Sequence, residues 1–301
     1  MTAISWRARA DLPLPRAGYA AGAIDGRFIV AGGSYWSGDQ KLRTATVHSY
    51  DPAADRWSTD PSLPVALSDA VSVATQSAMY VIGGLSSEGA SLDTLALRGG
   101  RWSAIPELKL PEAKIRAMGA VDRSHIYIVG GQLEFGNEAA TDQVWTCDTA
   151  NPSAGWTALP PCPAGPPVVS AVTVWRGALY LFGGFRIHGS VAENMRGIWR
   201  FDLGLHSWTH AGDLPESRRA FWAAPADTEI LLFGGYTDEF SAQVQSFDPK
   251  TAAVRAVGTL PHAVADAKFS RIGNRWYTTG GEVGVKIRGR HTWEGVSDSK
   301  A

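Results

Sequence analysis

Apolar runs recur along the chain at near-even intervals, and each is closely followed by two consecutive glycines. Phe28-Ile29-Val30, Met79-Tyr80-Val81-Ile82, Ile126-Tyr127-Ile128-Val129, Leu179-Tyr180-Leu181-Phe182, Ile230-Leu231-Leu232-Phe233 and Trp276-Tyr277 lead into Gly32-Gly33, Gly83-Gly84, Gly130-Gly131, Gly183-Gly184, Gly234-Gly235 and Gly280-Gly281. Short apolar or alternating runs bounded by turn residues predict buried strands, here the inner strands of six repeated units, with the glycines serving a crowded turn. Successive first glycines are 51, 47, 53, 51 and 46 residues apart. A Leu-Pro pair precedes each diglycine, at Leu12, Leu63, Leu110, Leu159, Leu214 and Leu260, with the proline 19 residues before the first glycine in five units and 23 in the fourth. Six residues ahead of the leucine stands Trp6, Trp57 or Trp208, with Trp102 and Trp156 near that position and Val254 in it once, which marks an outer strand.

Repeats of about 50 residues that cannot bury their own faces predict an all-β fold in which six four-stranded blades stack around an axis. The first Trp and Leu-Pro come before any diglycine, and after the last one only a piece around His291-Thr292-Trp293 reads as a strand. Residues 3–9 are therefore expected to supply the outermost strand of the blade that begins near Pro261, closing the ring. The whole chain, 1–301, is expected to form one domain.

Composition agrees with this and narrows the function. The 301 residues include 33 Gly, 17 Pro and 12 Trp, a mixture suited to short strands, tight turns and aromatic wedges. The net charge is −1, so no long-range field draws the protein to nucleic acid or to an anionic membrane. No stretch approaches the roughly 18 apolar residues of a membrane helix, and residues 1–12 lack the apolar core of a signal peptide. A cytoplasmic location is expected from the chain as written. Cys147 and Cys162 are the only cysteines and make no disulfide framework or zinc spacing. No metal and no cofactor are expected.

The diglycine after an apolar strand, followed by Tyr50-Asp51-Pro52 or Phe247-Asp248-Pro249 and then an aromatic such as Trp57, resembles the kelch motif, and the resemblance covers essentially the whole chain. It implies a six-bladed kelch β-propeller. It implies little about activity, because such propellers serve as enzymes, adaptor surfaces and substrate receptors.

In a propeller of this kind the segments after each diglycine and those leading into each blade open on one face of the axis, the expected site. The first group supplies Ser34-Tyr35-Trp36, Gln132, Phe185-Arg186, Tyr236 and Glu282; the second supplies Arg16, Lys114 and Arg218, each three residues after a proline, with Asp69, Arg116, Arg219 and Asp266 close by. Cations converging in a chain that is otherwise neutral predict an anion site. Gly280-Gly281-Glu282 with Arg288 six residues past the glutamate resembles the Gly-Gly-Glu-x5-Arg stretch of bacterial N-acetylneuraminate epimerases, which are sialic acid mutarotases. That resemblance implies an isomerase of carbohydrate metabolism acting on a small sugar acid, with Glu282 and Arg288 catalytic, Arg290 standing near as a substitute for Arg288. Arg16, Lys114, Arg116, Arg186, Arg218, Tyr236 and Gln132 would bind substrate. The alternative is a non-catalytic module in which the arginines grip an acidic peptide or glycan and Tyr35, Trp36, Phe185 and Tyr236 form an aromatic platform. The segments 34–43, 132–142 and 185–196 are long enough to fold over a small ligand.

Overall fold

A computed structural model describes residues 4–134, 139–188 and 191–297. Each unit forms a four-stranded antiparallel sheet. Blade 1 runs Ala20–Ile24, Arg27–Ala31, Val47–Asp51 and Arg56–Asp60 from axis to periphery, and blade 2 Val71–Ala74, Met79–Ile82, Thr94–Arg98 and Arg101–Ala104. Blades 3, 4 and 5 repeat this order, beginning at Met118–Asp122, Ala171–Trp175 and Trp222–Pro225. Blade 6 takes Lys268–Ile272, Arg275–Thr279 and Thr292–Ser297 from the end of the chain and Ile4–Arg9 from its beginning. The expected closure is thus present, with Ile4 opposite Ser297 and Arg9 opposite Thr292; residue 3 lies outside the described residues.

The apolar runs ahead of the diglycines form the second strand of each blade. The strand nearest the axis in blade 1 instead carries small residues, Ala20-Ala21-Gly22-Ala23, whereas those of the other blades mix small with larger side chains, as in Trp222-Ala223-Ala224-Pro225. A Cβ on Gly119 would lie 2.3 Å from a methyl of Val71 in the neighbouring blade. The second strands read as continuous apolar runs for a different reason: both of their faces are covered. In blade 5, Ile230 and Leu232 pack toward blade 4 while Leu231 and Phe233 pack toward blade 6. The hydrophobic core is accordingly six wedges, one between each pair of neighbouring blades, including the pair formed by blades 6 and 1. Cys147 and Cys162 are buried, unpaired thiols in two of these wedges, and burial pushes both up to about 12.

Neighbouring blades are also joined through the diglycines. The second glycine donates its N–H to a carbonyl of the next blade: Gly33 to Leu67, Gly84 to Lys114, Gly131 to Pro167, Gly184 to Arg218, Gly235 to Val264 and, across the seam, Gly281 to Arg16, at 2.7–2.9 Å. The first glycine sits against the same acceptor, so that a Cβ on Gly130 would lie 2.1 Å from the Pro167 carbonyl oxygen. With φ of 64° there, only glycine meets both demands.

A buried carboxylate holds the outer strand of blade 6. Glu294, with a side chain 0% exposed, accepts from Arg7 Nη2 at 2.7 Å, from Arg9 Nε at 2.8 Å and from Arg275. Burial alone would raise its carboxyl, but the hydrogen bonds from Arg9 and Arg7 outweigh that and leave it below the usual glutamate value. Because the folded value is depressed, this contribution to stability is present above the ordinary value near ~4.3 and is lost as pH falls through the folded value. Glu294→Ala should destabilise the fold by less than the roughly 3–5 kcal/mol of a fully buried ion pair, because Arg7 and Arg275 are about half exposed. The more conservative Glu294→Gln should lower the melting temperature at pH 7 and narrow the gap to wild type as pH drops below 4, as read by thermal denaturation; a gap independent of pH would contradict this role.

Candidate functional site

Two residues before each innermost strand, or nearby, the backbone turns through the left-handed region at one equivalent position per blade: Gly18, Asp69, Arg116, Val169, Ala220 and Asp266, with φ between 52° and 61°. These six residues are linked around the axis. Asp69 N–H donates to Gly18 O, Arg116 to Asp69, Val169 to Arg116, Ala220 to Val169 and Asp266 to Ala220, at 2.7–3.2 Å. At the seam, Gly18 N–H donates to the Asp266 carboxylate at 2.6 Å. A β-branched residue at positive φ is strained, and Val169 accepts that conformation because its neighbours on both sides of the ring fix it.

The ring floors a cavity of about 290 Å³ and all six of its residues line it. The residue just before each ring position pairs with the residue just after a diglycine, as Ala17 with Ser34, Val168 with Phe185, Arg219 with Tyr236 and Ala265 with Glu282, so the post-diglycine segments stand over the ring. Four of these segments continue as hairpins: Ser34–Ser37 with Gln40–Arg43, Leu85–Ser86 with Gly89–Ala90, Phe185–His188 with Val191–Asn194, and Glu282–Gly284 with Ile287–Arg288. Residues 135–138 and 189–190 of the loops expected to cover a ligand lie outside the described residues. On the far side of the ring, the innermost strands enclose a second chamber of about 400 Å³ along the axis.

Of the residues singled out from sequence, the structure brings Glu282 and Arg116 to the cavity wall, with Arg288 and Gln132 touching them. Arg288 Nη1 lies 2.7 Å from Glu282 Oε1, and its own side chain is 6% exposed. Arg116 Nη1 donates to Gln132 Oε1 at 3.4 Å, and its Nε lies 3.6 Å from Asp69 Oδ1. Tyr236 carries the Arg219 guanidinium over its ring at 4.9 Å, with Phe185 at 5.5 Å from the same group.

The structure does not bring Arg16, Lys114, Arg218 or Arg186 to this cavity. The first three occupy the position whose carbonyl receives the glycine N–H from the preceding blade, and that backbone placement turns their side chains into the fold. Arg16 donates to Gly32 O and Thr46 O at 2.8 Å and contacts His48; Lys114 pairs with Glu112 at 2.8 Å; Arg218 donates to Gln245 Oε1 at 2.7 Å and lies over Phe221. Burial lowers Arg16 and Arg218 to about 10. Arg186 pairs with Glu193 at 2.8 Å along a separate groove on blade 4.

Lys41 and Lys268 also line the cavity and were not legible as site residues. Lys41 reaches it because the hairpin turn at Gly38-Asp39 returns it opposite Trp36, a pairing that the Gly-Asp dipeptide would have suggested. Lys268 pairs with Asp266 at 3.8 Å. Each carboxylate lining the cavity thus has a cation beside it, Asp69 with Arg116, Asp266 with Lys268 and Glu282 with Arg288. Lys41 and Arg219 remain with no carboxylate in ion-pair contact among the described residues; Arg219 donates to Asn194 Oδ1 at 2.5 Å. The cavity is therefore a net cation with aromatic walls.

A model of the KLHDC2/KLHL20/DRC7 Kelch-repeats domain matches residues 69–281, and the Kelch motif matches residues 15–64. The chain belongs to the kelch-repeat family. Curated relatives of this kelch propeller include Kelch-like protein 34 of Homo sapiens, 29% identical over 262 residues that cover 79% of this chain and 38% of the relative. Kelch-like protein terF of Aspergillus terreus is 24% identical over 249 residues, 77% of this chain and 52% of the relative, and Kelch-like protein 25 of Xenopus tropicalis is 23% identical over 280 residues, 87% and 44%. The kelch propeller thus spans about half or less of the length of these relatives, and none of the three is a sialic acid mutarotase by name.

Burial raises the Glu282 carboxyl above its usual range, Asp266 adds to the effect, and Arg288 and Lys41 oppose it without cancelling it. A raised folded value means that ionising Glu282 subtracts from stability, not at all below the ordinary value near ~4.3 and fully above the folded value. Glu282→Gln should therefore gain in melting temperature relative to wild type as pH rises from 4 to 8. A difference that stays constant or shrinks over that range would show the carboxylate to be fully compensated by Arg288.

Proposed function

We propose that this propeller is a non-catalytic binding module, acting as one domain over residues 1–301, and that its mouth takes an acidic segment of a partner protein. The observation that carries this reading is the surplus of Lys41 and Arg219 after every carboxylate of the cavity has found a cation. A ligand carboxylate between them would complete the pairing, gaining a charge-assisted bond from a planar guanidinium already fixed over Phe185 and Tyr236. Kinship with kelch-like proteins supports a module of this kind. Selection from a random peptide display library should enrich Asp and Glu. Arg219→Ala and Lys41→Ala should each weaken a selected peptide about tenfold by fluorescence anisotropy, in line with the worth of one charged hydrogen bond. Selection without acidic enrichment would overturn the reading, and binding confined to sialylated members of a glycan array would move the ligand to an acidic glycan.

A second reading, anomer interconversion of a sialic-acid-like sugar acid, draws on the raised Glu282 carboxyl beside Arg288. Glu282 would take the proton of the anomeric hydroxyl while a second group protonates the ring oxygen. The depth of Arg288 weighs against its gripping a substrate carboxylate directly. Proton NMR of freshly dissolved N-acetylneuraminate decides the matter: equilibration faster than the blank with wild type, and at the blank rate with Glu282→Ala and Arg288→Ala, would establish it, whereas a wild-type rate equal to the blank removes it.

A further inference from the structure

Large apolar side chains left to solvent are few among the described residues: Val65, Leu205, Val285 and Ile287. Two of the four share one turn. Val285 is 85% exposed and Ile287 58%, on either side of Lys286 at the tip of the blade 6 hairpin, whose first residue, Glu282, lines the mouth. The tip leans toward blade 1 through its lysine. Lys286 adopts φ 58°, an unusual conformation for a side chain of its size. Its ammonium reaches Asp39 at 2.7 Å and lies 5.0 Å from the centre of the Trp36 ring, both on the blade 1 hairpin. The lysine is thereby turned toward the neighbouring hairpin, and the two aliphatic side chains beside it are left facing water.

We propose that Val285 and Ile287 form an apolar step at the rim which receives an aliphatic side chain of the same partner segment whose carboxylate enters the mouth. The inference rests on the acidic-segment reading above. The adjoining cavity carries the unmatched Lys41 and Arg219, so an occupant that covers the step and reaches the mouth is acidic at one point and apolar at another. Val285 stands three positions along the hairpin from Glu282 at the cavity wall, so an extended partner that rises about 3.3 Å per residue and covers the step enters the mouth within roughly two to four residues.

The test runs one random peptide display library against three forms of the full chain: wild type, the double variant Val285→Ser/Ile287→Ser, and Arg219→Ala. Wild type should select Asp or Glu with Leu, Ile, Val or Met two to four residues away. The serine variant should keep the acid, lose the aliphatic preference and bind a wild-type-selected peptide about fivefold more weakly; Arg219→Ala should lose the acid. If the serine variant selects the same pairs as wild type, the apolar step is overturned while the acidic reading stands. If wild type selects no acid, both fall. Self-association of wild type that the serine substitutions abolish, measured by light scattering, would make a second copy of the chain the occupant and overturn the inference as well.

Discussion

The hydrogen bond from the second glycine of each diglycine to a carbonyl of the next blade sets the geometry on which the rest of this molecule depends. Each such bond contributes only about 1 kcal/mol, so its importance lies in position. It brings two backbones so close that the first glycine has no room for a side chain, and it sets where the next blade's leading segment runs. Two residues further on, that segment enters the left-handed turn and joins the ring of main-chain bonds around the axis. Repeated six times, one contact defines the angle between blades, the floor of the mouth and the height at which the hairpins stand above it.

Because those constraints act on the backbone, the fold was largely legible in the sequence. Diglycine spacing, the Leu-Pro pairs and the tryptophans ahead of them located the blades and marked their outer strands, and the unmatched Trp6 and Leu12-Pro13 at one end foretold the shared sixth blade. The innermost strands were less legible. The apolar runs read as inner strands, which they are, but the innermost strands, such as Ala20–Ile24 and Trp222–Pro225, carry no such run ahead of a diglycine to announce them.

The site was only partly legible, for a related reason. A recurring position identifies an equivalent Cα but leaves open where its side chain goes. Arg16, Lys114 and Arg218 share a place in the repeat whose carbonyl faces the previous blade, and their cationic groups are consumed within the fold. The residue one step along, Arg219 in blade 5, faces the cavity, as does the ring residue Arg116 in blade 3. One residue along an extended chain reverses the side-chain direction, which separates Arg219 from Arg218, whereas Arg116, two residues past Lys114, is turned to the cavity by its left-handed backbone. Lys41 depended on a hairpin register that no blade repeat encodes.

The ring of six left-handed residues has a consequence for how such a molecule diversifies. Its bonds run through main-chain groups at five of six junctions, so they do not depend on which side chains, here Asp, Arg, Val and Ala beside Gly, stand at those positions. Different side chains thus stand at equivalent places on one repeated main-chain frame, and the lining of the mouth varies from blade to blade while its floor does not. The exception is Asp266, whose carboxylate closes the circuit onto Gly18; that one side chain is tied to the frame, and it marks the seam where the repeat breaks its sixfold symmetry.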